Sequence, residues 1–198
     1  MLPYKLGITG GIGSGKTSVC RVFSVLGVPV FSADPVASDI MENDPEIRRK
    51  LNSIAGTDLF SNGIMNRKKL ADLIFNDASI LAKVNSLVHP VVFANFLKWS
   101  EFQQSPYVII EAAILFESGG SKFTDKIATV VAPLQERIER VMQRNNLTLG
   151  QVNDRIRNQM TDEERIMSSH YVIMNSENDM IIPQVLRIHN DLLSQPKI

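Results

Sequence analysis

Cysteine is almost missing from this chain: Cys20 is the only one in 198 residues. No internal disulfide is possible, and a lone thiol suits a reducing compartment. Lying four residues after Lys16 in an apolar helical pattern, Cys20 reads as a small core residue. Net charge is missing too, with 21 Lys and Arg against 21 Asp and Glu. That balance argues against a chain built to coat nucleic acid or an anionic membrane. No unbroken apolar run approaches the roughly 20 residues of a membrane span. The chain enters a strand pattern with no leader-like segment before it. A cytoplasmic protein without nucleic-acid or membrane partners is expected. Neither the three histidines nor Cys20 shows zinc-ligand spacing. Repeats and low-complexity tracts are absent as well.

Glycine, by contrast, is concentrated. The stretch YKLGITGGIGSGKTSVC (residues 4–20) carries five glycines in the nine positions from Gly7 to Gly15. Gly10-x-x-x-x-Gly15-Lys16-Thr17 fits the Walker A spacing G-x-x-x-x-G-K-[ST]. A short strand pattern precedes it (Tyr4 to Thr9). A helix pattern follows from Ser18 to Leu26, with Val19, Val22, Phe23 and Leu26 on one face. Without Cβ atoms, successive backbone N–H groups can curl into a nest for phosphate oxygens, and the helix N-terminus adds its positive dipole end. Gly11, Ile12, Gly13, Ser14, Gly15, Lys16, Thr17 and Ser18 are therefore the candidate nucleotide site. Lys16 would reach the β- and γ-phosphates of ATP, and the Thr17 hydroxyl would ligate Mg²⁺. The G-x-G-x-x-G interval of dinucleotide folds is not met, and a merely flexible glycine turn fits the strand–loop–helix context poorly.

Strand and helix patterns then alternate. Gly27 to Ala33, Pro106 to Glu117, Asp125 to Ala132 and His170 to Asn175 read as strands. Helical patterns cover Pro45 to Ile54, Asn66 to Phe75 and Asp77 to Phe102, the last broken or bent at His89-Pro90. Others cover Leu134 to Asn145, Leu149 to Gln159, Asp162 to Ser168 and Met180 to Leu193. The prediction is an α/β fold: a doubly wound, mostly parallel five-stranded sheet of the P-loop NTPase type. Residues 1–34 and 106–198 would form the nucleotide-binding core, with a helical acceptor-binding insert over about 35–105 and a helical lid over about 137–168. Ligands of such sheets sit at the carboxyl ends of the strands, where the Walker loop, Asp34, Glu111 and Asn175 fall.

Each further candidate has two readings. Asp34 could take a proton from an acceptor hydroxyl or help hold Mg²⁺, or it could be an N-cap before Pro35. Six of the 11 arginines lie between residues 137 and 165, where lysine is absent. Their guanidinium forks suit phosphate, but interleaved Asp and Glu also suit a solvated face. Arg140 and Arg144, one turn apart, are the first choices for phosphate contact. His89 is either a satisfied structural histidine or an acceptor contact. Glu111 ends a β-rich run as a Walker B acid would, and as many strand-end carboxylates do.

Several of these stretches together resemble the dephospho-coenzyme A kinase family over nearly the whole chain. GITGGIGSGKT opens the resemblance, and VPVFSAD is similar to the segment bearing that family's proposed catalytic aspartate, here Asp34. NGIMNRKKLADLIF brings in Arg67, LVHP brings in His89, and AILFES resembles the Leu-Leu-Phe-Glu segment by the acceptor site, with Leu115, Phe116 and Glu117. RIERVMQRNNLT and RIRNQM are similar to the lid, with Arg140, Arg144, Arg155 and Gln159, and YVIMNSEN brings in Asn175 at the nucleotide side. Four places depart from the pattern. Ala113 stands for a usual proline, Ile114 for a leucine, Arg137 for a frequent glutamine and Ser169-His170 for Ala-Asp. The resemblance implies a monomeric or weakly oligomeric enzyme that uses ATP and Mg²⁺ to phosphorylate the ribose 3′-hydroxyl of dephospho-coenzyme A. Lys16, Asp34, Arg140 and Arg144 would be catalytic, and Asp34, Arg67, His89, Leu115, Phe116 and Glu117 would bind the acceptor. Other readings are a kinase of another small acceptor, such as a nucleoside monophosphate, and a GTPase-like switch. The switch lacks its D-x-x-G and N-K-x-D sequences here.

Overall fold

The computed structural model describes residues 2–195. The chain divides into two compact units, one running up to Ser32 and resuming at Leu97, the other Ala33–Phe96.

The first unit is built on five strands: β1 (Tyr4–Thr9), β2 (Val30–Ser32), β5 (Tyr107–Glu111), β6 (Lys126–Val131) and β7 (Tyr171–Met174). They form one sheet in the order β2-β5-β1-β6-β7, every neighbouring pair parallel. The expected five-stranded parallel sheet is therefore present. β1 is central because Leu6, Gly7, Ile8 and Thr9 are all buried, which a strand covered on both faces requires. Its register sets Ile8 opposite Glu111 on one side and Ala128 on the other. The path leaves β1 first for the β2–β5 side and later for the β6–β7 side, so the chain reverses at β1, where such sheets bind ligands.

Helix α1 (Lys16–Val25) buries Val19, Cys20 and Phe23. Together with Val185, Ile188 and Leu192 of α9 (Ile181–Ser194), these side chains pack with Leu6, Ile8, Ile109 and Val130 of the sheet in one core. β2 is shorter than the sequence pattern suggests. Pro29 has no N–H to give a ladder, and Ala33 is already helical. β5 likewise stops at Glu111, and residues 113–119 turn. This unit also holds α6 (Leu134–Asn145), α7 (Leu149–Arg157) and α8 (Asp162–Met167), with a short 3-10 turn at Gly120–Phe123. Capping boxes at Thr148 with Gln151 and Thr161 with Glu164 start the last two.

The second unit holds α2 (Ala33–Asn43), α3 (Pro45–Ala55), α4 (Arg67–Asn76) and most of α5 (Ala78–Glu101). Asp44 caps α3 by accepting from the amides of Glu46 and Ile47. A two-stranded hairpin, β3 (Phe60–Ser61) with β4 (Ile64–Met65), went unread in the sequence. Its signal was Asn62-Gly63, both at positive φ (51° and 80°), as a tight hairpin turn demands. α5 is one continuous helix rather than two, with Pro90 inside it. Val84 and Val88 before the proline and Val92, Phe93 and Phe96 after it are buried, so packing offsets the missing hydrogen bond. Averaged over 18 residues α5 reaches a mean hydropathy of 1.4, long and apolar enough to span a bilayer by length and composition alone. A core helix passes the same test.

Candidate active site

Thr9 ends β1, and the chain turns through the glycine loop into α1. Gly15 is the N-cap residue of α1, at φ 92°, and no side chain caps this helix start. No acidic residue sits in the first turn either. An uncapped N-terminus presents amides and the positive dipole end, an arrangement suited to an anion. A Cβ at Gly15 would lie 2.0 Å from Asn175 Nδ2, so glycine is required there for space as well as for φ.

Asn175, the residue after β7, donates from Nδ2 to the Ser14 carbonyl at 2.7 Å and so buttresses the loop. Its own carbonyl accepts from Arg140 Nη1 at 3.0 Å, and Arg140 also pairs with Glu136 at 2.7 Å. Lys16 folds back over the loop, Nζ donating to the carbonyls of Gly10 (3.0 Å) and Gly11 (3.4 Å). The Ser14 hydroxyl is buried without a hydrogen-bond partner, and Ser18, exposed, continues the helix with its amide on Gly15 O.

The Thr17 hydroxyl donates to Glu111 Oε1 at 2.8 Å, and Ser32 Oγ donates to Oε2 of the same carboxylate at 3.3 Å. The start of α1 and the ends of β5 and β2 thereby meet at one acid. Burial pushes the Cys20 thiol up, and the nearby Glu111 carboxylate pushes it further, so Cys20 stays a neutral core residue. Glu111 was noticed in the sequence as a strand-end acid and left out of the site. Its bond to Thr17 brings it in. A hydroxyl beside a carboxylate is a hard oxygen donor set that fits Mg²⁺, which needs one or two protein oxygens and takes the rest from phosphate and water. No group of three or more His, Cys, Asp or Glu able to hold a metal by itself occurs among the described residues.

The remaining expected site residues of this unit have these surroundings. Ile12 does not offer its amide to the nest, because that N–H donates to Gln159 Oε1 at 2.9 Å. Leu115 is fully buried, and its side chain fills the space a Cβ at Gly7 would need. Phe116 is half-buried beside it in the chain, and Glu117 accepts from the Met160 amide at 2.8 Å. Arg144 is exposed and donates from Nε to Asn145 Oδ1 at 2.9 Å, and Arg155 is exposed in α7. Sequence reasoning also missed Arg137 as a site residue. Buried, it donates from Nε to the Ile12 carbonyl at 3.0 Å, and its departure from the family pattern was the available signal.

In the second unit Asp34 is not an N-cap. α2 already begins at Ala33, so Asp34 and Pro35 lie inside its first turn, where a carboxylate complements the dipole and a missing N–H costs nothing. Arg67 opens α4 and donates to Ser38 Oγ and to the Glu42 carboxylate, with which it pairs. His89 is half-buried in α5 near the Phe93 ring, and burial holds its pKa below the usual histidine value.

A phosphate-cradling loop at the reversal of a parallel sheet, with a threonine–carboxylate pair beneath it, is the equipment of the P-loop kinases. Within that class the match is specific: the family model described as CoaE, dephospho-CoA kinase, covers residues 4–180. The chain belongs to the dephospho-CoA kinase family. The dephospho-CoA kinase of Bacteroides fragilis is 40% identical over 188 residues, 94% of this chain and 92% of that protein. A crystal structure of a Thermus thermophilus protein is 31% identical with a TM-score of 0.86, covering 98% of this chain and 100% of that one. Dephospho-CoA kinase from Campylobacter jejuni, 22% identical, shares the fold with a TM-score of 0.69 over 95% of this chain and 96% of its own.

Proposed function

We propose that this chain transfers the γ-phosphoryl group of ATP to the ribose 3′-hydroxyl of dephospho-coenzyme A, yielding coenzyme A and ADP. The observation that carries the proposal is the loop ending at Gly15-Lys16-Thr17, with its threonine bonded to Glu111, in a chain of this family. Loop amides and the α1 terminus hold the β-phosphate, and Lys16 moves from the loop carbonyls to the β- and γ-phosphates. Thr17, with Glu111 behind it, would hold Mg²⁺, which would supply positive charge to the phosphates when bound. The acceptor oxygen attacks the γ-phosphorus, the bond to the β–γ bridging oxygen breaks, and the hydroxyl proton passes to Asp34. Arg140 and Arg144, in a lid over about 137–168, stabilise the charge of the transferring group and exclude water. The Ala33–Phe96 unit serves as the acceptor-binding insert through Arg67 and His89, and Phe116 and Glu117 are acceptor-binding residues of the other unit. The enzyme works in the cytoplasm as a monomer or weak homo-oligomer.

The test is ADP release across a panel of acceptors. Dephospho-coenzyme A should stand well above adenosine and cytidine monophosphates. Equal rates with the nucleoside monophosphates would overturn the substrate assignment while leaving a P-loop kinase.

A further inference from the structure

Ile12 is held on both sides of its α-carbon by side chains from much later in the chain. Its N–H donates to Gln159 Oε1 at 2.9 Å, and its carbonyl accepts from Arg137 Nε at 3.0 Å. Each bond orients a whole peptide plane, because the trans peptide sets N–H and C=O on opposite edges. Fixing the Ile12 N–H fixes the Gly11 carbonyl, which accepts from Lys16 Nζ at 3.4 Å. Fixing the Ile12 carbonyl fixes the direction of the Gly13 N–H.

The two holding side chains are themselves held. Arg137 is 4% exposed and lies so close to the loop that a Cβ at Gly11 would be 2.1 Å from Nη2. Its Nη1 pairs with Asp162 Oδ2 at 2.6 Å, and Asp162 Oδ1 takes Arg165 Nη1 at 2.7 Å. Arg165, 1% exposed, also faces Glu117 Oε1 at 3.9 Å, and that same oxygen accepts the Met160 amide, next in chain to Gln159. A lysine at 137 could not do this, since one guanidinium here bridges two acceptors in different directions. The α7–α8 junction (residues 158–161) and the phosphate loop are therefore joined through a clamp on the two peptides that flank Ile12.

We infer that Arg137 and Gln159 are positioning residues that set the curvature of the phosphate loop by clamping Ile12, with Asp162, Arg165 and Glu117 holding the clamp in place. The inference rests on the nucleotide-site reading given above. Neither residue touches the reacting atoms. They act through the loop, so their loss appears in nucleotide affinity and not in acceptor affinity.

The experiment is a double-mutant cycle with Gln159→Met, Arg137→Met and the pair, reading ATP affinity by calorimetry and both KM values, beside a thermal melt. Gln159→Met keeps the volume and removes the acceptor. Each single variant should weaken ATP about three- to tenfold, the range of one hydrogen bond, with the acceptor KM within about twofold. The double variant should be little worse than the weaker single, because both side chains hold the same residue, Ile12, through the two peptides that flank its α-carbon. Arg137→Lys, which keeps a charge beside Asp162, should retain more of the melting temperature and still lose ATP affinity. If Arg137→Met does not fold, Gln159→Met and Arg137→Lys decide. ATP affinity within about twofold of the parent in those folded variants, or effects that multiply in the pair, would overturn the clamp. Lys16→Ala is the reference: if it loses turnover while Gln159→Met keeps ATP affinity, the clamp alone falls. If Lys16→Ala turns over normally, the nucleotide site falls and the clamp with it.

Discussion

Gly15→Ala tests the phosphate loop where the structure leaves least room. The backbone there has φ 92°, and an added Cβ would sit 2.0 Å from Asn175 Nδ2. The left-handed conformation costs an alanine about 1–2 kcal/mol. Asn175 must also swing away, which breaks its 2.7 Å bond to the Ser14 carbonyl, a net loss of about 0.5–1.5 kcal/mol. The sum, about 1.5–3.5 kcal/mol, is below the stability of a typical domain, about 5–15 kcal/mol, so the sheet should survive. The loop instead relaxes, and restoring its shape on binding draws that energy from nucleotide affinity. At about 1.4 kcal/mol per tenfold, ATP should bind roughly ten- to three-hundredfold more weakly. Calorimetric ATP titration beside a thermal melt reads both quantities. Adding Asn175→Ala makes room for the methyl group and should leave the part due to φ. ATP affinity within about twofold of the parent for Gly15→Ala would mean that neither the left-handed backbone at Gly15 nor the Asn175 buttress shapes the nucleotide site.

Three other outcomes are expected. Glu111→Gln keeps the shape beside Thr17 and removes the charge, so the Mg²⁺ concentration for half-maximal turnover should rise about 10- to 100-fold, the usual effect of altering a metal ligand's partner. An unchanged Mg²⁺ titration would detach Glu111 from the metal. Asp34→Asn should lower turnover about 10²- to 10⁴-fold with ATP affinity nearly unchanged. It should cost only about 0.3–1 kcal/mol through the lost first-turn charge, and turnover within a few-fold of the parent would leave Asp34 a purely structural acid. His89→Ala should raise the acceptor KM and leave ATP affinity alone. Folded His89 binds its proton less readily than an unfolded histidine of pKa about 6.5, so acidification through that value favours the unfolded chain. The variant should lose part of that acid sensitivity in melts between pH 7 and 5, with the similarly shifted His170 keeping the rest.

The sheet was legible in the sequence because its strands are short apolar runs with strong punctuation, and β1 (Tyr4–Thr9) and α6 (Leu134–Asn145) match their patterns to the residue. Strand ends were overextended where an apolar run continues into a turn. Residues 113–119 are such a case, because Leu115 is buried by packing on Gly7 and not by ladder pairing. The Asn62-Gly63 hairpin was overlooked inside a stretch read as helical. At the site, the Walker spacing located the loop, but spacing carries no information on which distant side chains hold it. Asn175 under Ser14, Glu111 beside Thr17 and Arg137 on Ile12 are separated from their partners by 94 to 161 residues. Asp34 shows the reverse limit. The Asp-Pro pair suggested a cap at Asp34 with the helix starting at Pro35, and the helix starts two residues earlier, at Ala33.

The reaction assigned to this enzyme is a phosphoryl transfer from ATP to one particular hydroxyl. Incubation with γ-labelled ATP, Mg²⁺ and dephospho-coenzyme A, followed by phosphorus NMR of the product, tests it directly. One label per ADP released should be recovered as a 3′-ribose phosphomonoester on coenzyme A. Label released as inorganic phosphate, or found at any other position of the acceptor, would contradict it.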